Sequence, residues 1–93
     1  MEYRIKKNNK DQVLKRLSNK SEIKSLTIEK NISVILPDNL KIINQLQIYN
    51  NCNVSSQNLE NINKLWVYEN SNVNFPNATV KELSEKNAVV YLK

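Results

Sequence analysis

Three stretches of this chain fit one pattern, I-x-x-L-x-[IV]-x-x-N-x-x-V, without a gap: IKSLTIEKNISV (23–34), INQLQIYNNCNV (43–54) and INKLWVYENSNV (62–73). They follow one another at offsets of 20 and 19 residues. Asparagine is abundant throughout, so its matches alone carry little weight; the apolar positions that agree in every copy are far harder to obtain by accident. A second phase agrees with the first, since Asn39-Leu40, Asn58-Leu59 and Asn77-Ala78 recur every 19 residues. A unit this short cannot bury its own apolar face and has to stack on its neighbours. The L-x-[IV] spacing puts two apolar side chains on one face of a strand. The sequence therefore predicts a parallel β-solenoid, mainly β with minor α, and the 93 residues form one repeat domain.

The ends carry weaker copies, as terminal coils of a stack do. Tyr3-Arg4-Ile5-Lys6 fits the strand core with tyrosine in place of leucine, and Val90-Tyr91-Leu92-Lys93 repeats the alternation. Five short strands are expected, near residues 3–6, 26–29, 46–49, 65–68 and 89–92. Residues 1–22 make an N-terminal capping coil, 23–42, 43–61 and 62–77 are repeats, and 78–93 is a C-terminal capping coil. A helix is predicted near residues 11–18, with Asp11 as its N-cap and Val13, Leu14 and Leu17 on one face. Val80 and Leu83 in ATVKELSEKN predict a second helix over 79–86. The middle coils, with Pro37 and Pro76, are expected to return through irregular or 3₁₀ segments.

L-x-x-L-x-L-x-x-N is the strand signature of leucine-rich repeats. Together with NVNFPNATVKEL it makes the chain resemble the short-repeat, leucine-rich-repeat-like solenoids of bacteria and phages. The resemblance is strong over residues 23–75 and weak at both ends. Three features depart from it: the apolar residue after the asparagine is displaced by one (Val34, Val54, Val73), glycine is absent, and the first and last strand spacings stretch to 23 and 25 residues. Without glycine, the corners fall to Asn and Asp (Asn50-Asn51, Asp38-Asn39), the residues that best tolerate positive φ. The resemblance also implies that the amides of Asn31, Asn51 and Asn70 bond to neighbouring coils as a ladder; exposed turn asparagines are the alternative.

Chemistry is scarce in this composition. No histidine, no glycine and a single cysteine exclude an intrachain disulfide, a His/Cys metal cluster, a glycine-rich phosphate loop and Ser-His or Cys-His pairing. Glu82 and Glu85 read as a solvated helix face, and Cys52 as a small buried residue. The expectation is a protein that is not an enzyme and that uses no cofactor and no metal.

Strand alternation predicts a surface instead. Tyr3/Ile5, Leu26/Ile28, Leu46/Ile48, Leu65/Val67 and Val90/Leu92 go inward. Outward go Arg4, Thr27, Gln47, Trp66 and Tyr91 in one row, and Lys6, Glu29, Tyr49, Tyr68 and Lys93 in the next. On strands about 4.8 Å apart, Tyr49, Trp66, Tyr68 and Tyr91 would meet in one outward cluster, flanked by Gln47 and Glu29. Cross-strand aromatic pairs stabilise a sheet by themselves, by about 0.2–1 kcal/mol each. Trp and Tyr also dominate binding hot spots, and the expected function is a protein-binding module, a small inhibitor that occludes its partner. The Lys/Asn/Ile-rich composition is that of AT-rich bacterial or phage genomes, where small anti-defence inhibitors are common.

Nucleic acid is the alternative partner. The net charge of +5 lies wholly in residues 1–31, which hold nine Lys/Arg against four Asp/Glu. Arg4, Lys6, Lys7, Lys10, Lys15 and Arg16 would hold phosphates or an acidic protein, although they sit at the opposite end of the face from the aromatics. No apolar stretch approaches membrane length or makes a signal peptide, so the cytoplasm (the host's, for a phage protein) is the expected compartment. Arg4, Lys6 and Lys93 on the edge strands predict a monomer, with pairing of edge strands into a dimer as the alternative.

Overall fold

In the computed structural model, which describes residues 2–93, the repeat offsets become the register of a stacked sheet. The chain runs β1 (Glu2–Ile5), α1 (Lys10–Leu17), β2 (Glu22–Ile28), β3 (Ser33–Ile35), β4 (Ile42–Ile48), β5 (Asn53–Ser55), β6 (Asn61–Val67), β7 (Asn72–Phe75), β8 (Thr79–Glu85) and β9 (Val89–Leu92). Every pairing is parallel. The first sheet has the order β1-β2-β4-β6-β8 and the second β3-β5-β7-β9. The molecule is thus a parallel β-solenoid of five coils, and Tyr3, Leu26, Leu46, Leu65 and Leu83 stand in register through the first sheet.

The expected inward set builds the core. Ile5, Leu26, Ile28, Leu46, Ile48, Leu65 and Val67 are buried, as are Ile23, Ile43 and Ile62 at the head of the repeat. Inward residues therefore sit at i, i+3 and i+5, which a straight strand does not allow. The pairing skips Lys24, Asn44, Asn63 and Lys81, so each long strand bends there and leaves two successive residues facing away from the core. From the second sheet come Val34, Val54 and Val73, and Phe75, Leu36, Leu40, Leu59 and Ala78 close the remaining side. Each fully buried aliphatic side chain contributes about 1.5–3 kcal/mol.

Asparagine turns the corner between the two sheets. Asn31, Asn51, Asn70 and Asn87 have φ of 64°, 60°, 62° and 50°, in the left-handed region that costs most residues about 1–2 kcal/mol and Asn less. The expected ladder of their side-chain amides is not what holds the stack. Their side chains are exposed, and their backbone N–H groups climb instead: Asn31 to the Asn50 carbonyl (2.9 Å), Asn51 to Glu69 (3.0 Å) and Asn70 to Asn87 (3.0 Å). Side-chain amides ladder elsewhere, Asn53 to the Ser33 hydroxyl (3.4 Å) and Asn72 to the side-chain Oδ1 of Asn53 (3.2 Å). The second phase is a real contact too. Asn39 donates to the Lys20 carbonyl (2.7 Å) and Asn77 to that of Gln57 (2.7 Å), each tying one coil to the one before.

Three further expectations are corrected. Residues 79–86 hold no helix; β8 (Thr79–Glu85) stands there and completes the first sheet. The strand at 89–92 is consequently not the fifth of that sheet but β9 of the second. The middle coils are irregular only in part: β3, β5 and β7 bring the total to nine strands among the described residues, while residues 36–41, with Pro37, and 56–60 return without strand or helix. The single helix, α1, lies where expected but starts at Lys10, with Asn9 rather than Asp11 at its N-cap position. The Asn9 side chain closes the preceding turn, accepting from the Lys6 amide (2.7 Å) and donating to the Arg4 carbonyl (3.2 Å). Val13 and Leu17 are buried, and the helix packs against β1 to cover the N-terminal end of the core.

Candidate functional site

The outward rows of the first sheet are now fixed by register. One row is Arg4, Thr27, Gln47, Trp66 and Ser84. The next follows the strand ends, where Glu29, Tyr49, Tyr68 and Lys86 donate their amides to Ile5, Ile28, Ile48 and Val67 of the preceding coil. Tyr49 and Tyr68 meet edge to face, with ring centroids 5.2 Å apart and planes at 65°, the geometry the ring quadrupoles favour. Tyr68 is 36% exposed, while Tyr49 and Trp66 are half-buried. Gln47 stands in register with Trp66. Thr27, expected outside, is buried between the longer Arg4 and Gln47 that flank it in its row.

Tyr91 does not join this cluster. It lies on β9, opposite Asn74, and is 63% exposed on the outer side of the second sheet. There it lines a groove of about 720 Å³ with Lys10, Asp11 and Leu14 of α1 and Ile35 of β3. The fifth coil places Ser84 and Lys86 in the two rows where Tyr91 and Lys93 were expected. A signal for this was present: Val80, Leu83, Asn87 and Val90 form a fourth copy of the repeat, with Glu85 in place of Ile/Val and one residue fewer before the asparagine.

Charges frame the aromatics. Arg4 pairs with Glu29 across adjacent coils, and its guanidinium pKa is raised first by the hydrogen bond to Glu29 and less by Tyr49 nearby, against some desolvation. Both groups of the pair are open to solvent, so its contribution to stability is small. At the other end of the row Lys86 reaches Glu69 at 3.7 Å. Beside the rows, where the strands bend, a groove of about 880 Å³ runs across the coils past Glu22, Lys24, Asn44, Asn63 and Lys81.

The six cations of the N-terminal third differ in their contacts. Arg4 is held by Glu29, and Lys10 donates to the Ser33 carbonyl at 3.3 Å. Lys6 and Lys7 are exposed just after β1, and Lys15 and Arg16 are exposed in the last turn of α1, where they favour the helix dipole. Cys52 is buried, its thiol donates to the Glu29 carbonyl at 3.0 Å, and burial pushes its pKa up. Among the described residues no three His, Cys, Asp or Glu side chains group as metal ligands, and no helix is long and apolar enough to cross a membrane. No family model, no curated protein and no solved structure gives a significant match to this chain.

Proposed function

We propose that the chain is a non-enzymatic protein-binding module whose docking surface is the aromatic row of the first sheet. The carrying observation is the contact of Tyr49 with Tyr68 on adjacent coils, beside a half-buried Trp66, on a sheet face that the fold itself leaves open. Gln47 and the Arg4–Glu29 pair border it. Large aromatic side chains already ordered by one another lose little freedom on binding, which is what a hot spot requires. Such a surface suits an inhibitor that covers a partner's active or assembly face, an anti-defence protein of a phage being one such case. The repeat signature supports grouping the coils with the short leucine-rich-repeat-like solenoids, although the four coils after the first carry a second strand where that class returns through a helix or 3₁₀ segment.

The experiment compares affinity capture by the wild-type chain with capture by Trp66→Ala and Tyr68→Ala, each with and without nuclease. A protein captured by the wild type, insensitive to nuclease and lost with either variant, is the expected result, with about 2 kcal/mol of binding lost per variant. Capture that survives both substitutions but disappears with nuclease would replace this reading by nucleic-acid binding.

A further inference from the structure

The two ends of the stack are finished differently. At the N-terminal end Ile5 and Leu17 are fully buried beneath α1 and β1. At the other end the inward rows lose their cover. Ile23, Ile43 and Ile62 are buried, yet Val80 in the same row is only half-buried. Leu26, Leu46 and Leu65 are buried, whereas Leu83 is 47% exposed. Val90 and Leu92 of β9 are half-buried at the same end. Both β8 and β9 are edge strands with an open side.

The sequence of β8 fits itself. Thr79-Val80-Lys81-Glu82-Leu83-Ser84 reads hydroxyl, aliphatic, cation, anion, aliphatic, hydroxyl, which is complementary to its own reverse. We propose that β8 pairs antiparallel with β8 of a second copy of this chain, about a two-fold axis passing between Lys81 and Glu82. In that register each Lys81 faces the other copy's Glu82, each Val80 faces Leu83, and each Thr79 faces Ser84.

Backbone direction agrees. Thr79 and Lys86 donate their amides to Glu60 and Val67, on the β6 side. By strand alternation Val80 before the bend, and Leu83 and Glu85 after it, turn their peptide groups to the open edge. Val80 and Leu83 are thus able to exchange both N–H···O bonds, the closed pair of an antiparallel ladder. Their side chains are also the inward ones, so the core runs on from one copy into the other. The bend at Lys81 maps onto itself under the axis. Glu85, an anion in the inward row, falls opposite Ala78, whose carbonyl accepts the Lys93 amide at 3.1 Å, which brings a cation of the partner copy beside it. Lys64 already lies 3.9 Å from Glu82 within one copy, both open to solvent, a weak contact that the partner's Lys81 joins rather than breaks. The result is a ten-stranded first sheet that carries two aromatic rows.

Sedimentation equilibrium over a concentration series, with circular dichroism as the folding control, tests this. The wild type should reach twice its 10.9 kDa mass. Lys81→Glu and Glu82→Lys each set like charges opposite one another twice and should weaken the dimer at least about tenfold. The double exchange Lys81→Glu with Glu82→Lys restores opposite charges in the same register and should recover it. A monomeric wild type up to the highest soluble concentration overturns the proposal. So does a dimer untouched by the single reversals, or one that the double exchange fails to restore while the fold is retained.

Discussion

Asparagine does in this chain what glycine does in most tight corners. Asn51, at φ 60° in the middle coil, is exposed and holds the stack through its backbone. Asn51→Gly should therefore leave stability within about 0.5 kcal/mol, and Asn51→Ala should cost about 1 kcal/mol, because Cβ crowds the carbonyl in the left-handed region. Urea unfolding decides it, and equal losses from the two substitutions would mean that the side chain carries the effect. Cys52 offers a second check. Its buried thiol, with a raised pKa, stays protonated at neutral pH, so iodoacetamide should label it only on unfolding. Trp66, half-buried in the aromatic row, should be quenched by acrylamide in the native protein, and Trp66→Ala should cost less than the ~3–5 kcal/mol of a buried ring. A blue-shifted, unquenched emission would place the indole in the core and remove the docking row. The asparagine corners were legible because no other residue in a glycine-free chain tolerates that backbone as well; that their backbones rather than their amides form the ladder depends on coil-to-coil spacing, which no single copy encodes.

At the scale of the strand, the L-x-[IV] core picked the inward residues of the three repeats correctly, and of the residues set between them only Thr27 is buried rather than open. Leu46 of β4 is fully buried between β2 and β6, while Gln47 beside it is half-exposed. Leu46→Ala should cost about 2–5 kcal/mol as a large-to-small change in a closed core, and Gln47→Ala less than about 0.5 kcal/mol; thermal melts showing the two equal would shift the face assignment by one residue. The same strands explain the misreading of β8. Because each long strand bends, its inward residues fall at i, i+3 and i+5, and the first two of these imitate a helix. In the repeats the i+5 residue is Ile or Val and breaks the tie. In the last coil it is Glu85, the tie stays unbroken, and Val80 with Leu83 reads as a helical face. That error moved Tyr91 onto the first sheet, when its strand belongs to the second. The second sheet escaped notice because β3 and β5 span three residues each and β7 four, so each shows only one or two inward positions, too few for a period.

The whole molecule is a one-dimensional stack, and its stability should follow the stack. Each coil touches only its neighbours, so opening begins at the ends and costs most at the centre. The N-terminal end is closed by α1 over Leu17 and Ile5, whereas Val80, Leu83, Val90 and Leu92 at the other end are only partly covered. Native-state hydrogen exchange at low protein concentration should thus show the slowest amides in β4 and β6, intermediate ones in β2, and the fastest strand amides in β8 and β9. The amides of Val80, Leu83 and Glu85 face the open edge of the monomer and should exchange fastest within β8. Raising the concentration provides a second reading from the same sample. Pairing of β8 with its copy covers those three amides and should slow them selectively, leaving the amides of β1 and α1 at their dilute rates. Uniform slowing across the chain would instead report a general gain in stability. Slowing confined to β1 would place the contact at the capped end, and in both cases the self-complementary sequence of β8 would have no part in the assembly.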